Sequence, residues 1–192
     1  MNSFNDNNFK LRFDGEQHQL DANVLISSLI HTTAIIQETN KFLDSGKKIE
    51  IKVKALEKGS FLIHIELIET TFDSLKIIFT RENIETGGII ISAFVGFIEI
   101  KKFLKGKSPK KIDQKESKTT ITNQNGDVFI IENSVFNIYE HSSIVQDALS
   151  QNFETLNNDP AISAFEVTDK NENPIIRVEK EEFSDLSFCL SK

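Results

Sequence analysis

The chain has no tryptophan, one tyrosine, one cysteine and only three prolines in 192 residues. A single thiol, Cys189, cannot close an internal disulfide, and no Cys-x-x-Cys pair is present to hold zinc or run dithiol chemistry. Cys189 reads as a small hydrophobe beside Phe188 and Leu190. Its isolation fits a reducing compartment, so a cytoplasmic location is expected. Three prolines and eight glycines leave little material for long loops, which favours regular elements. The N-terminus lacks a basic segment followed by an apolar run, which argues against a signal peptide. A membrane-length apolar run is also missing. Thr86 to Ile98 is uncharged, but as a helix it would be roughly 20 Å long, against roughly 30 Å of bilayer hydrocarbon.

What is present is 39% hydrophobic and 27% charged residues, with 16 phenylalanines to fill a core. That balance belongs to a globular chain rather than a disordered one. The net charge of −7 is unevenly placed. Residues 1–118 carry 18 basic and 16 acidic side chains, whereas residues 119–192 carry 4 and 13. The acidic C-terminal half argues against nucleic-acid binding there, because phosphates would be repelled.

Hydrophobic periodicity predicts an α+β chain. Phe9 to Phe13 alternates like a half-buried strand and turns at Asp14-Gly15. Asp21 is placed to N-cap a helix running to Leu43, with Ala22, Leu25, Ile26, Leu29, Ile36 and Leu43 as its buried stripe. Ile49, Ile51, Val53 and Ala55 alternate with charged residues, and Phe61, Ile63, Ile65 and Leu67 answer them after a turn at Glu57–Gly59, which predicts a hairpin. Phe72 to Phe79 reads as a short helix. Thr120–Thr122 and Val128–Ile131 flank Asn125-Gly126, which predicts a type I′ hairpin. Ser143 with Gln146 reads as a capping box for a helix that Asn157–Pro160 stops. Phe165 and Val167 are expected to pair with Ile176 and Val178 around a turn at Lys170–Asn173. A short amphipathic tail carries Phe183, Leu186 and Leu190.

The segment from Gly87 to Lys107 stands apart because its apolar residues surround the helix axis. Such a helix must be buried on most sides. The chain's own core, a second protomer or protein partner, and partial insertion into a membrane would each bury it. The lysines that follow, Lys101, Lys102, Lys105, Lys107, Lys110 and Lys111, read as a solvated helix end favourable to the helix dipole. As an anion patch they would suit lipid headgroups, nucleic acid or an acidic partner, with no aromatic interleaving to support base stacking.

The residues offer little chemistry. His18, His31, His64 and His141 show no metal-ligand spacing. Gly106-Lys107-Ser108 resembles the end of a P-loop, but the required earlier glycine is replaced by Lys101. Ser60 lacks a nucleophile elbow. Glu66/Glu69 and Glu181/Glu182 are carboxylate pairs of the kind any acidic surface offers.

Two patches, Ala55–Phe61 leading into Ile63, Ile65 and Leu67, and the Gly/Ile/Phe-rich helix ending Lys102-Phe103-Leu104-Lys105-Gly106-Lys107, resemble small α+β proteins of bacterial prophages and mobile elements. The resemblance implies no reaction and supplies no catalytic residues. It implies a setting in phage–host conflict, as a defence component or a counter-defence factor.

The expectation is therefore an α+β fold with two helix-plus-antiparallel-hairpin halves packed around a central apolar helix at about 86–104. Residues 1–106 form one half, 107–118 a basic linker and 119–192 the acidic half, with a single domain as the alternative. The expected function is non-enzymatic protein interaction, with a protein partner or by self-association as a homo-oligomer, through the Ile89–Leu104 helix or a sheet edge. Ile90, Phe94, Phe97, Lys101, Lys102 and Lys105 are the candidate interaction residues. No catalytic, metal or cofactor site is assigned and no cofactor is expected. Membrane insertion of the 87–104 helix is an alternative, as is a small-ligand sensor or an enzyme with an unfamiliar site.

Overall fold

A computed structural model describes residues 7–15, 20–44, 46–54, 61–71 and 86–188. Among them lie five helices and eight strands, an α+β fold. β1 (Asn8–Gly15), β2 (Lys47–Lys54), β3 (Phe61–Thr71), β7 (Ile162–Asp169) and β8 (Pro174–Glu179) form an antiparallel sheet in the order β2-β3-β1-β7-β8. β4 (Lys111–Lys115), β5 (Lys118–Thr122) and β6 (Val128–Glu132) form a second, three-stranded sheet. The helices are α1 (Ala22–Leu43), α2 (Thr86–Leu104), α3 (Asn133–His141), α4 (Ser143–Asn158) and α5 (Lys180–Ser187).

Strict alternation puts Phe9, Leu11 and Phe13 on the buried face of β1, where they meet Phe61, Ile63 and Ile65 of β3 on one side and Phe165 and Val167 of β7 on the other. The hairpin expected between Phe165/Val167 and Ile176/Val178 forms, with Phe165 opposite Val178 and Val167 opposite Ile176. Phe153 of α4 lies 5.8 Å from both Phe165 and Phe183, tying α4 and α5 to the sheet. Since β1 pairs with both β3 and β7, strands from the first and last thirds of the chain share one sheet. The stretch expected as a linker, 107–118, instead carries β4. Its only large apolar residue is Ile112, and an edge strand this polar leaves no alternation to read.

Local signals were sound for α1. The Asp21 side chain accepts the Asn23 amide at 2.7 Å, and the helix ends at Leu43 with Asp44 in the left-handed region. The buried face differs from the expected stripe. Val24, Ser28, Thr32, Ile35, Ile36 and Thr39 are buried, while Ile26 and Ile30 are 54% and 59% exposed. Ser27 reaches Thr155 and Glu38 reaches Ser142, so α1 runs antiparallel to α4 and takes its rotation from that contact. Apolar residues lie on several sides of α1, and tertiary packing chose among them.

Other corrections are smaller. The N-cap of α4 is Ser142, one residue before the expected box; its hydroxyl accepts the Val145 amide, and Gln146 donates to the Tyr139 carbonyl. The β5–β6 loop is not a type I′ turn. Gly126 alone takes positive φ there, and Asn123 holds the loop by accepting the amides of Asn125 and Asp127. α3 was not expected at all: it follows β6 directly, and Glu132 caps it with no side-chain hydrogen bond. The expected helix at Phe72–Phe79, the turn at Glu57–Gly59 and the residues Ala55, Leu56, Ser60, His18, Cys189 and Leu190 lie outside the described residues.

Phe97→Ala is expected to cost roughly 3–5 kcal/mol in urea unfolding. Ile26→Gln should change stability by no more than about 0.5 kcal/mol, since half of that side chain already faces water. A large loss for Ile26→Gln would restore the stripe read from periodicity.

Candidate functional site

α2 begins at Thr86 and ends at Leu104, and 14 of its 19 residues are buried. It touches β1, β3, β6 and β8 together with α1, α3 and α5. Ile90, Phe94 and Phe97, expected as partner contacts, are enclosed by this chain's own core. Phe94 packs at 6.0 Å on Phe9 and Phe97 at 6.3 Å on Tyr139. Of the three ways to bury this helix, the structure uses the first: these side chains face the chain's own core. No helix among the described residues is long and apolar enough to cross a membrane.

The lysines that follow divide rather than cluster. Lys101 is only 5% exposed. Its ammonium donates to Ser150 Oγ at 2.7 Å, to the Leu186 carbonyl at 2.7 Å and to the Phe188 carbonyl at 2.8 Å. Those acceptors offset the cost of burying a charge. Lys101 therefore pins the end of α5 against α2 and α4. Lys102 donates to the Arg177 carbonyl and pairs with Glu182 at 3.0 Å. Lys105, Lys107, Lys110 and Lys111 remain exposed, so the expected patch keeps only its outer members. Gly106 has φ +69 at the end of α2, and a Cβ there would approach Phe188 to 3.0 Å. Gly106-Lys107-Ser108 is thus a helix end and not a phosphate loop.

The remaining polar candidates have structural work. Glu66 pairs with Lys54, and Glu69 pairs with Lys47 while accepting the Gly87 amide. Glu182 completes the capping box of α5. His64 meets Asn8 Oδ1 at 3.1 Å and His141 meets the Asn137 carbonyl at 2.9 Å. His31 is half-buried on α1, and burial holds its pKa below the usual value. No group of described residues could hold a metal ion. An open groove of about 420 Å³ lies between α1 and the end of α4, lined by Asp21, Val24, Thr155, Asn158, Asp159 and Pro160. Asp21 there is already engaged as the α1 cap, and the Asp159 side chain accepts the Ala161 amide.

The sheet edges are more informative. An edge strand offers free backbone groups, and natural proteins protect it with charge, proline or bulges. β2 carries Lys48, Glu50, Lys52 and Lys54; β8 carries Pro174, Arg177 and Glu179; β4 carries Lys111, Asp113 and Lys115. β6 reads Val128-Phe129-Ile130-Ile131-Glu132, with no charge before its last residue, no proline and an unbroken register with β5. Its other edge has no strand neighbour among the described residues. Phe129 turns inward against Phe103 at 5.5 Å, while Val128 and Ile130 point outward, 57% and 59% exposed, opposite Thr122 and Thr120. Sequence reading placed a strand here, but four successive apolar residues leave no alternation to tell the exposed face from the buried one.

Lys101→Met should cost about 1–3 kcal/mol by leaving buried carbonyls unpaired, and should speed amide exchange in α5. Lys105→Met should be silent within about 0.5 kcal/mol. Glu99, half-buried on α2, has its pKa raised by burial. The fold then favours the protonated acid, and that contribution is lost as pH rises through the raised value. Glu99→Gln should therefore stabilise the protein at pH 7, with the gain vanishing below about pH 4; unfolding at both pH values checks this.

Comparison with protein-family models, with curated proteins and with solved structures finds no match to this chain.

Proposed function

We propose that this chain is a non-enzymatic interaction protein that docks to protein through the open edge of β6. The observation that carries the reading is the unprotected edge itself: free backbone groups beside two exposed apolar side chains, Val128 and Ile130. Strand addition uses that combination, in which main-chain hydrogen bonds give affinity and alternate side chains give specificity. The other three sheet edges carry charge or proline along their length, so contact through the described sheets is directed to one place. The resemblance to prophage and mobile-element proteins gives such docking a setting in phage–host conflict, as part of a defence assembly or as a factor that blocks one.

A photo-crosslinking residue placed at position 130 tests this in cells, with position 52 on the charged β2 edge as the control. Crosslinks to protein, whether to other chains or to a second copy, should gather at position 130. Equal or greater yield at position 52 would overturn the reading.

A further inference from the structure

We propose that one occupant of the β6 edge is a second copy of this chain, paired antiparallel β6 to β6 about a two-fold axis at Phe129. The proposal rests on the docking reading above and names its partner. Antiparallel strands related by a two-fold axis pair residues whose numbers have a constant sum, and an even sum keeps the same faces together. With the axis at Phe129, Val128 of each copy lies opposite Ile130 of the other. The two exposed apolar side chains of one strand thus cover those of its mate in both directions, as cross-strand pairs. Phe129 meets Phe129 on the inner face, so both copies keep their α2 on the same side of a six-stranded sheet, β4-β5-β6-β6-β5-β4.

The charges agree with this pairing. Within β6 the one ionised side chain is Glu132, and Lys118 on the neighbouring strand already holds it. Asp127, which the register sets opposite Ile131 of the mate, already accepts from Asn123 Nδ2 at 2.9 Å, so neither carboxylate near the seam lacks a partner. An antiparallel strand is also its own complement, so the match needs no second evolved surface. With that axis three residues of β6, Val128 to Ile130, face their counterparts, and so short a seam buries well under the roughly 1,200 Å² of a stable interface. The dimer is therefore weak and concentration-dependent. Each copy carries −7, so long-range repulsion opposes an apolar seam. Association should strengthen when salt screens that repulsion.

Sedimentation velocity on the full chain, from roughly 10 μM to 1 mM and at low and high salt, reads this directly. The expected result is a mass rising from 21.8 kDa toward twice that value, further at high salt. Ile130→Lys should remain monomeric throughout, and its unchanged unfolding curve would show that the fold is intact. In a Cys189→Ser background, the double variant Val128→Cys/Ile130→Cys should oxidise to a covalent dimer, and neither single variant should do so as efficiently. A monomer at every concentration and salt would overturn the second-copy proposal, as would a dimer that Ile130→Lys leaves intact. Crosslinks from position 130 to other proteins in cells would then keep the docking reading standing. Their absence as well would remove both.

Discussion

The fold depends on the pairing of β1 with β7, because that ladder joins the first strand of the chain to its last hairpin. Hydrogen bonds between two backbones do not by themselves choose a partner strand; side chains do. On the inner face the choice is made by Phe13 against Phe165 and Leu11 against Val167. On the outer face it is made by charge. Glu166 of β7 is 4% exposed and accepts from Arg12 of β1 and Arg177 of β8. A carboxylate so far from water is tolerable only with such partners. Arg177 also reaches Asp14 and Glu179, and Glu172 accepts from Lys10 and Arg12. Its three carboxylates hold the Arg177 guanidinium firmly protonated, led by the bond to Glu179.

This network gives the uneven charge of the sequence a physical use. Basic residues of the first half, Lys10, Arg12 and Lys102, take their partners from the acidic second half: Glu172, Glu166 and Glu182. The acidic balance of residues 119–192 argues against nucleic-acid binding there, and part of it is consumed in holding the two halves together. α2 adds the second tie. It inserts its apolar body beneath strands from both ends of the chain, and the Lys101 ammonium locks the end of α5 to it.

What was legible in the sequence follows from range. α1 and its cap and the β2–β3 and β7–β8 hairpins are written in neighbouring residues, and local chemistry decides them. The rotation of α1 was not legible, because Ile26 and Ile30 are as apolar as the residues that are buried and only the fit to α4 separates them. β4 was hidden by its polarity, and α3 by the absence of any capping side chain. Of the candidate interaction residues, Ile90, Phe94 and Phe97 were correctly read as demanding burial, yet the demand says nothing about which chain meets it. Lys101 carried no sign that it points inward, since its acceptors come from residues 49 or more positions away.

The same ambiguity explains why a sheet edge was expected as an interaction surface without the strand being named. Alternation separates an inner face from an outer one only when the outer face is polar. In β6 both faces are apolar, so periodicity does not tell which of them meets the core. The structure buries one. A strand with the composition of an interior and the position of an edge has a mismatch that neighbouring charges do not repair: β4, at the opposite edge of the same sheet, carries three charged residues in five, and β6 carries one. A lysine at position 130 would cost this fold little, since the Ile130 side chain makes little use of the core. Exposed apolar area on a bare edge is a liability, and covering the second face of β6, as the proposed docking does, would remove it.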